Sequence, residues 1–438
     1  MDEKHILSEE TLLLGDDIPD DHIKREASKC RKACIFLSCF MQIIVCNGVG
    51  YGLSVMYAEL VVVFDSSRGE AVLLQSLFMG FSSASGILFT GLIHRFGPGV
   101  CIMFGGLMGC VGLFVSAFTG ELSLIIICTG VVAGTAFGVC LLAAFVTVGW
   151  TFSGSTSFFL ICLMAGISVG QFTYPLLFET FISQYTWSGT FVLIAGVSMQ
   201  CIPCGLIVYF SGEYLSKGTE KSETKRNLYC DVTMLKDLVM WIFLVNFVLI
   251  SMSVNVEAWF IVDHMVTRGF KREVGSVLVS MIGIGTFIGR ICGALLRLKC
   301  KCPTIYHWTY FNVIIAVIHV IILNLNDFRS LVVACIVYGM TYATCTSQIP
   351  GIMFESVGPE RYPQAMAMAN VMLGLGDMLG AIYGGFIYDI FGVYNVAFYT
   401  AAVMGMYISV TTTFAAVLVK RRNRREVDID TKAEIRRH

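Results

Sequence analysis

Few charged side chains stand inside the long apolar runs of this 438-residue chain, and those few are where chemistry is to be expected. A charge in hydrocarbon is costly, so such a group is normally kept in a wet cavity and given a partner. Arg290, in Gly289-Arg290-Ile291-Cys292-Gly293, is strongly basic and lies deep in such a run. Its planar fork of donors fits a carboxylate at two points. Its alternative uses are to lock its helix to a neighbour through a buried salt bridge, or to snorkel to a membrane surface. Asp377, in Gly376-Asp377-Met378, and Glu257, in Val256-Glu257-Ala258, are acids that could balance it. Either can serve as a proton carrier or as a static counter-ion.

Asn47, Gln171 and Asn255 are uncharged polar candidates for lining the same cavity, alongside Gln42, Gln75, Tyr174 and Gln348. Most such groups in a membrane instead join helices by hydrogen bonds. His319 is expected to be an interhelical donor of that kind, and His264, near a helix end, to titrate in water. No nucleophile, base and orienter can be assembled from motifs, and no Walker sequence appears, so neither an enzyme nor a pump driven by ATP is expected. The seventeen cysteines fall mostly in apolar runs, where they behave as small hydrophobes. Cys300 and Cys302 have no partners at zinc-ligand spacing. No cofactor and no metal are expected.

The elements that must position these groups are membrane helices. With 56% hydrophobic residues, 14% charged and a mean hydropathy of +0.75, the chain has too little polar surface for a soluble globule. A span needs about 20 apolar residues in a helix, because lipid leaves no other way to satisfy the backbone. Twelve segments qualify, near 34–63, 70–93, 100–119, 122–148, 156–180, 190–211, 237–263, 273–298, 304–324, 329–355, 363–388 and 394–419. The pattern is an all-α membrane protein of two six-helix bundles, 34–211 and 237–419, with a tail at 1–33, a linker at 212–236 and a basic tail at 420–438. The polar, basic start carries no cleavable signal, so the first span is its own insertion signal. With the amino terminus inside, 24 of the 30 Lys and Arg fall on the inner side, which places both termini in the cytosol. The net charge of -1 and the absence of a basic groove exclude nucleic acid as a partner.

Two patterns repeat between the halves. The sixth span opens with Trp187 and Phe191, the twelfth with Tyr394 and Phe398, and a spacing of four puts both rings on one face. Basic turns follow the second and eighth spans, at His94-Arg95 and at Arg297, Lys299 and Lys301. Glycines spaced by four on the fourth and eleventh spans permit close helix contact.

The turn Gly91-Leu92-Ile93-His94-Arg95-Phe96-Gly97 resembles that of the major facilitator superfamily, with His94 in place of the family's acid. Within it, Tyr51 to Phe64 with Ser67-Arg68-Gly69-Glu70, Tyr185 to Phe191, Asp263 to Phe270, Ile282 to Arg290, and Gly380 to Phe398 resemble the monocarboxylate transporters. The chain departs from them in several places. The acidic-glycine-aromatic opening of the first span is missing, as are a Lys in that span and the basic turn after the fourth. Thr286 stands where an Asp normally precedes Arg290 by four residues.

The resemblance implies the major facilitator fold and a secondary-active transporter of small organic anions, monocarboxylate-like, working by alternating access. It implies a solute site at Arg290 with Glu257 and Asp377 drawn to it as proton-coupling candidates, and a gating loop at His94 and Arg95. A co-transported proton is the expected partner besides lipid, and the plasma membrane the expected location, with an endosomal or lysosomal membrane the alternative. Carriage of amino acids or other neutral solutes is the competing substrate reading; a receptor or scaffold without transport is the competing class.

Overall fold

The computed structural model describes residues 17–152, 156–211, 237–300 and 302–435, and no strand occurs among them. The first half comprises α1 (Asp17–Val63), α2 (Arg68–Ala71), α3 (Leu73–Leu88), α4 (Thr90–Phe96), α5 (Pro98–Phe118), α6 (Leu122–Ile125), a π-helical turn (Ile126–Ala133), α7 (Gly134–Thr151), α8 (Thr156–Ser198) and α9 (Cys201–Phe210). The second comprises α10 (Leu238–Thr267), α11 (Arg272–Lys299), α12 (Thr304–Asn324), α13 (Phe328–Thr346), α14 (Ile349–Phe391) and α15 (Asn395–Ile435).

Among the described residues, ten helical stretches are long and apolar enough to cross a bilayer. One of them, Cys162–Phe210 at 49 residues, holds two spans, because the chain turns at Thr186 (φ 65°, ψ 176°). The remaining span is α2 to α4, a helix interrupted at Val72 and Phe89. Twelve spans in two six-helix bundles are thus accommodated.

Local chemistry explains several boundaries. Ser67 accepts the Glu70 N–H at 3.1 Å and starts α2, and Asp237 and Asp327 cap α10 and α13 in the same way, a role short polar side chains fill well. Gly97 (φ 83°) makes the turn between α4 and α5, and Pro98 supplies a first helical residue with no N–H to leave unpaired. At both ends of the chain helix runs beyond the sequence expectation. Helical backbone begins at Asp17 rather than at residue 34, and it runs on from Lys420 to Ile435, since charged residues form helix as readily as apolar ones once a span has nucleated it. The expected linker at 212–236 lies outside the described residues.

The halves meet where small residues let backbones approach. Gly283 of α11 lies against the Gln171 and Phe172 backbone of α8, and Gly374 of α14 against Ser83 of α3. Inside the second half, Gly285 and Gly289 press on the Ile336 and Met340 carbonyls of α13. A Cβ at Gly285 has no room there. Gly285→Val is expected to cost about 1–3 kcal/mol through overpacking, read as a lower melting temperature of the purified protein in detergent; unchanged melting would contradict the close contact.

Candidate substrate-binding site

Arg290 projects from α11 toward α8, where its Nε donates to Ser168 Oγ at 3.0 Å and its Nη1 lies 3.5 Å from Met164 Sδ. Both partners are neutral. Among the described residues no carboxylate stands within ion-pair reach of this guanidinium. Asp377 projects from α14, and its Oδ1 accepts from Asn255 Nδ2 at 2.8 Å and from Ser251 Oγ, both on α10. It likewise has no cationic partner among the described residues. One cation and one anion are therefore held by neutral donors and acceptors and are not paired with each other.

Tyr51 of α1 and Tyr342 of α13 lie near enough to interact electrostatically with both Arg290 and Asp377, and all four residues keep some exposure in mid-helix.

Glu257 is placed differently from the expectation that it would join Arg290 and Asp377. It is fully buried inside the second half, with Oε1 on His319 Nδ1. His319 Nε2 meets Ser253 Oγ at 3.0 Å, and that hydroxyl reaches the Ala401 carbonyl at 3.1 Å. The helical phase of α10 decides this: Asn255 faces Asp377, and two residues on, about 200° around the helix, Glu257 faces α12 instead. Asn47 only bonds its own helix, at the Ile43 carbonyl (3.3 Å). Gln171 accepts from Thr286 Oγ1 at 3.1 Å, so it ties α8 to α11. That bond falls on the position where the resembled family has an acid. Arg95 is exposed, its guanidinium 5.4 Å from the Phe96 ring; the His94 side chain lies outside the described residues. His264 is not in water but 4% exposed, with its ring centroid 5.9 Å from that of Tyr394 and 5.1 Å from that of Phe398.

At the end of the molecule that carries Arg68, charges cross between the halves. Arg68 Nε donates to Asp263 Oδ2 at 2.7 Å, and its guanidinium lies 3.9 Å from the Tyr388 ring centroid. Tyr394 Oη donates to the same carboxylate oxygen at 2.5 Å, and Tyr57 Oη stands 3.1 Å from Tyr394 Oη. Asp389 accepts the backbone N–H groups of Arg68 at 3.0 Å and Gly69 at 2.7 Å. In the opposite sense, Arg272 of the second half holds Glu179 at 2.7 Å and also Glu59, both of the first half. These ties close that end. Sequence reasoning missed Glu59, Glu179 and Asp263, although acids within or at the end of apolar runs are the same signal that singled out Glu257. Tyr51, Tyr342, Ser168 and Ser251 gave no signal, being ordinary residues of membrane helices.

The sequence profile of the Major Facilitator Superfamily matches residues 34–376 and 308–437. The chain belongs to that superfamily. It is similar to monocarboxylate transporter 13 of Rattus norvegicus, with 21% identity over 369 residues, covering 84% of this chain and 85% of that one. Monocarboxylate transporter 3 of Rattus norvegicus is 22% identical over 381 residues (84% and 78% covered), and monocarboxylate transporter 12 of Homo sapiens is 21% identical over 418 residues (89% and 81%). The crystal structure of a D-xylose-proton symporter shares the fold, with a TM-score of 0.69 at 13% identity, over 86% of this chain and 96% of that one. The chain is accordingly a multi-pass membrane protein and a secondary-active transporter of a small organic solute, and not an enzyme.

Proposed function

We propose that this transporter carries small organic anions, monocarboxylate-like solutes, by alternating access, with the solute carboxylate bound at Arg290. One observation carries the reading: a mid-helix guanidinium that is partly exposed and, among the described residues, is held by a hydroxyl and a thioether with no carboxylate in ion-pair reach. Such a group lacks the acceptors that its donors demand, and a carboxylate supplies two of them in one plane. The names of the relatives agree with that chemistry.

Arg290 and Asp377 balance each other in charge. A bound monocarboxylate leaves a net charge of minus one there, and a proton taken up on Asp377 restores neutrality. This is the reason for assigning proton coupling to Asp377 rather than to Glu257, which has no face on the cavity. The orientation proposed is the one with both termini cytosolic, so that the Arg68 end is the outer end and is shut, in a protein of the plasma membrane. Residues 34–211 and 237–419 are the proposed rocking units, and the turn at His94 and Arg95 the inner gating loop.

Ligand that binds only the folded state raises its stability by RT ln(1 + [L]/Kd), about 2.7 kcal/mol at a hundred times Kd. A panel of small monocarboxylates is expected to raise the melting temperature of the wild type and to leave that of Arg290→Gln unchanged. Equal stabilisation of both would remove Arg290 from the site.

A further inference from the structure

Cysteines that the structure buries, such as Cys39, Cys46, Cys140 and Cys201, pack among apolar neighbours. Four exposed ones stand apart from that pattern, all of them free thiols. Cys30 and Cys34 lie one turn apart where α1 enters its span, and Cys300 and Cys302 lie where α11 ends. The two pairs occupy one level of the molecule. Arg272 at the start of α11 holds Glu59 near the end of α1, so the two helices share a level at the Arg68 end. From that tie, the helix back to Cys30 and the helix on to Cys300 each run about 40 Å. Hydrocarbon is only about 30 Å thick, which puts both pairs in the headgroup layer at the opposite end. The side of α11 that meets lipid is also evident. Arg290 is directed at α8, whereas Ile288, Cys292, Leu295 and Lys299, on the other side of the helix, are exposed. An exposed apolar strip of this kind is a membrane contact. Beside the thiols Lys29, Arg31 and Lys299 are exposed as well, and such cations hold a segment against an anionic inner leaflet. Among the described residues no group of three or more His, Cys, Asp or Glu side chains could hold a metal ion.

We infer that Cys30, Cys34, Cys300 and Cys302 are sites of S-acylation by long-chain fatty acids. This rests on the orientation proposed above, which puts both pairs on the cytosolic side of the membrane. Exposed juxtamembrane thiols are the kind that accept such chains. The co-reactant is a long-chain acyl thioester of the acyl coenzyme A class. The cysteine sulfur attacks the acyl carbonyl, a new carbon–sulfur bond forms and the donor's carbon–sulfur bond breaks. The cysteine's proton ends on the released thiol, and nothing is oxidised or reduced. The attached chain enters the hydrocarbon from the headgroup layer, beside the exposed apolar side of α11 in the case of the Cys300 pair. Because one pair lies on each half, both rocking units are tied to the inner leaflet.

The test expresses the full-length chain in cells fed an alkyne-bearing palmitate and reads the label on the purified protein before and after neutral hydroxylamine, which cleaves thioesters and spares amides. The wild type is expected to carry label that hydroxylamine removes. Cys30→Ser with Cys34→Ser, and Cys300→Ser with Cys302→Ser, are each expected to lose about half of it, and the quadruple variant to fall at least about tenfold. Melting temperatures are expected to stay unchanged, since all four side chains are exposed. Orientation is read separately. After hydroxylamine, an impermeant maleimide is added to intact or permeabilised cells, and the difference between the wild type and the quadruple variant reports these four thiols. They are expected to react only after permeabilisation. No acyl label on a wild type whose thiols show that protection, or equal label on the wild type and the quadruple variant, would overturn the inference and leave the orientation standing. Reaction in intact cells would overturn the orientation and the inference with it. If the quadruple variant is not recovered folded, the two double variants decide, and label undiminished in both counts against acylation at these sites.

Discussion

Replacing Asp263 by Asn is expected to open the Arg68 end of the transporter to solution. In the structure this carboxylate, 2% exposed, takes a hydrogen bond from Arg68 across the two halves and another from Tyr394. An arginine guanidinium is effectively always protonated in proteins. The pair is therefore not lost by deprotonation of the arginine at any physiological pH. Replacing the carboxylate by an amide removes the charge and leaves the guanidinium a neutral oxygen and the Tyr388 ring. The cost of breaking such a charge pair begins at about 2 kcal/mol, and that low end applies because Arg68 keeps 24% of its side-chain surface. All of it is paid by the closed state, which shifts the balance of open to closed about 30-fold. Tyr51→Cys places a thiol in the cavity, and an impermeant thiol reagent added from the outer side reports access to it. Labelling is expected to be slow in Tyr51→Cys alone and on the order of tenfold faster when Asp263→Asn is added. Equal rates would show that the network does not hold this end shut.

The second large effect is expected at Glu257. Both it and His319 are 0% exposed, and the pair joins α10 to α12 and, through Ser253, to the Ala401 carbonyl of α15. Truncating one member of a fully buried pair leaves the other without its partner where no water can replace it, at a cost of about 3–5 kcal/mol. Glu257→Ala is therefore expected to lower the melting temperature by many degrees and to reduce the yield of folded protein. Glu257→Gln keeps an oxygen for the histidine Nδ1–H and is expected to be much milder. A Glu257→Ala protein that melts normally but transports without response to a proton gradient would return Glu257 to the role of proton carrier.

The two predictions mark where sequence reading succeeds and where it stops. Hydropathy is a one-dimensional property, and the spans follow from it because lipid leaves the backbone no choice but helix. Arg290 and Asp377 were legible as candidates for the same reason: lipid selects against isolated charge. That Asn255 meets Asp377 while Glu257 pairs with His319 was not legible, because Asn255 and Glu257 are only two residues apart and the phase of α10 against α12 and α14 is set by tertiary packing. The reversal at Thr186 was hidden for a related cause. A single residue with positive φ turns the chain there, and threonine is not a residue that advertises such a turn. The closure at Arg68 joins residues 195 and 320 or so positions apart, a pairing that no local pattern encodes.

The measurement that tests the account most directly is uptake of labelled monocarboxylates into vesicles bearing the wild type or Arg290→Ala, with and without an inward proton gradient. Saturable uptake by the wild type, stimulated by the gradient and abolished by Arg290→Ala at equal protein, is the predicted result. Equal saturable uptake by the two proteins would contradict it, and uptake of no solute by the wild type would make the protein a receptor or scaffold built on a transporter's fold.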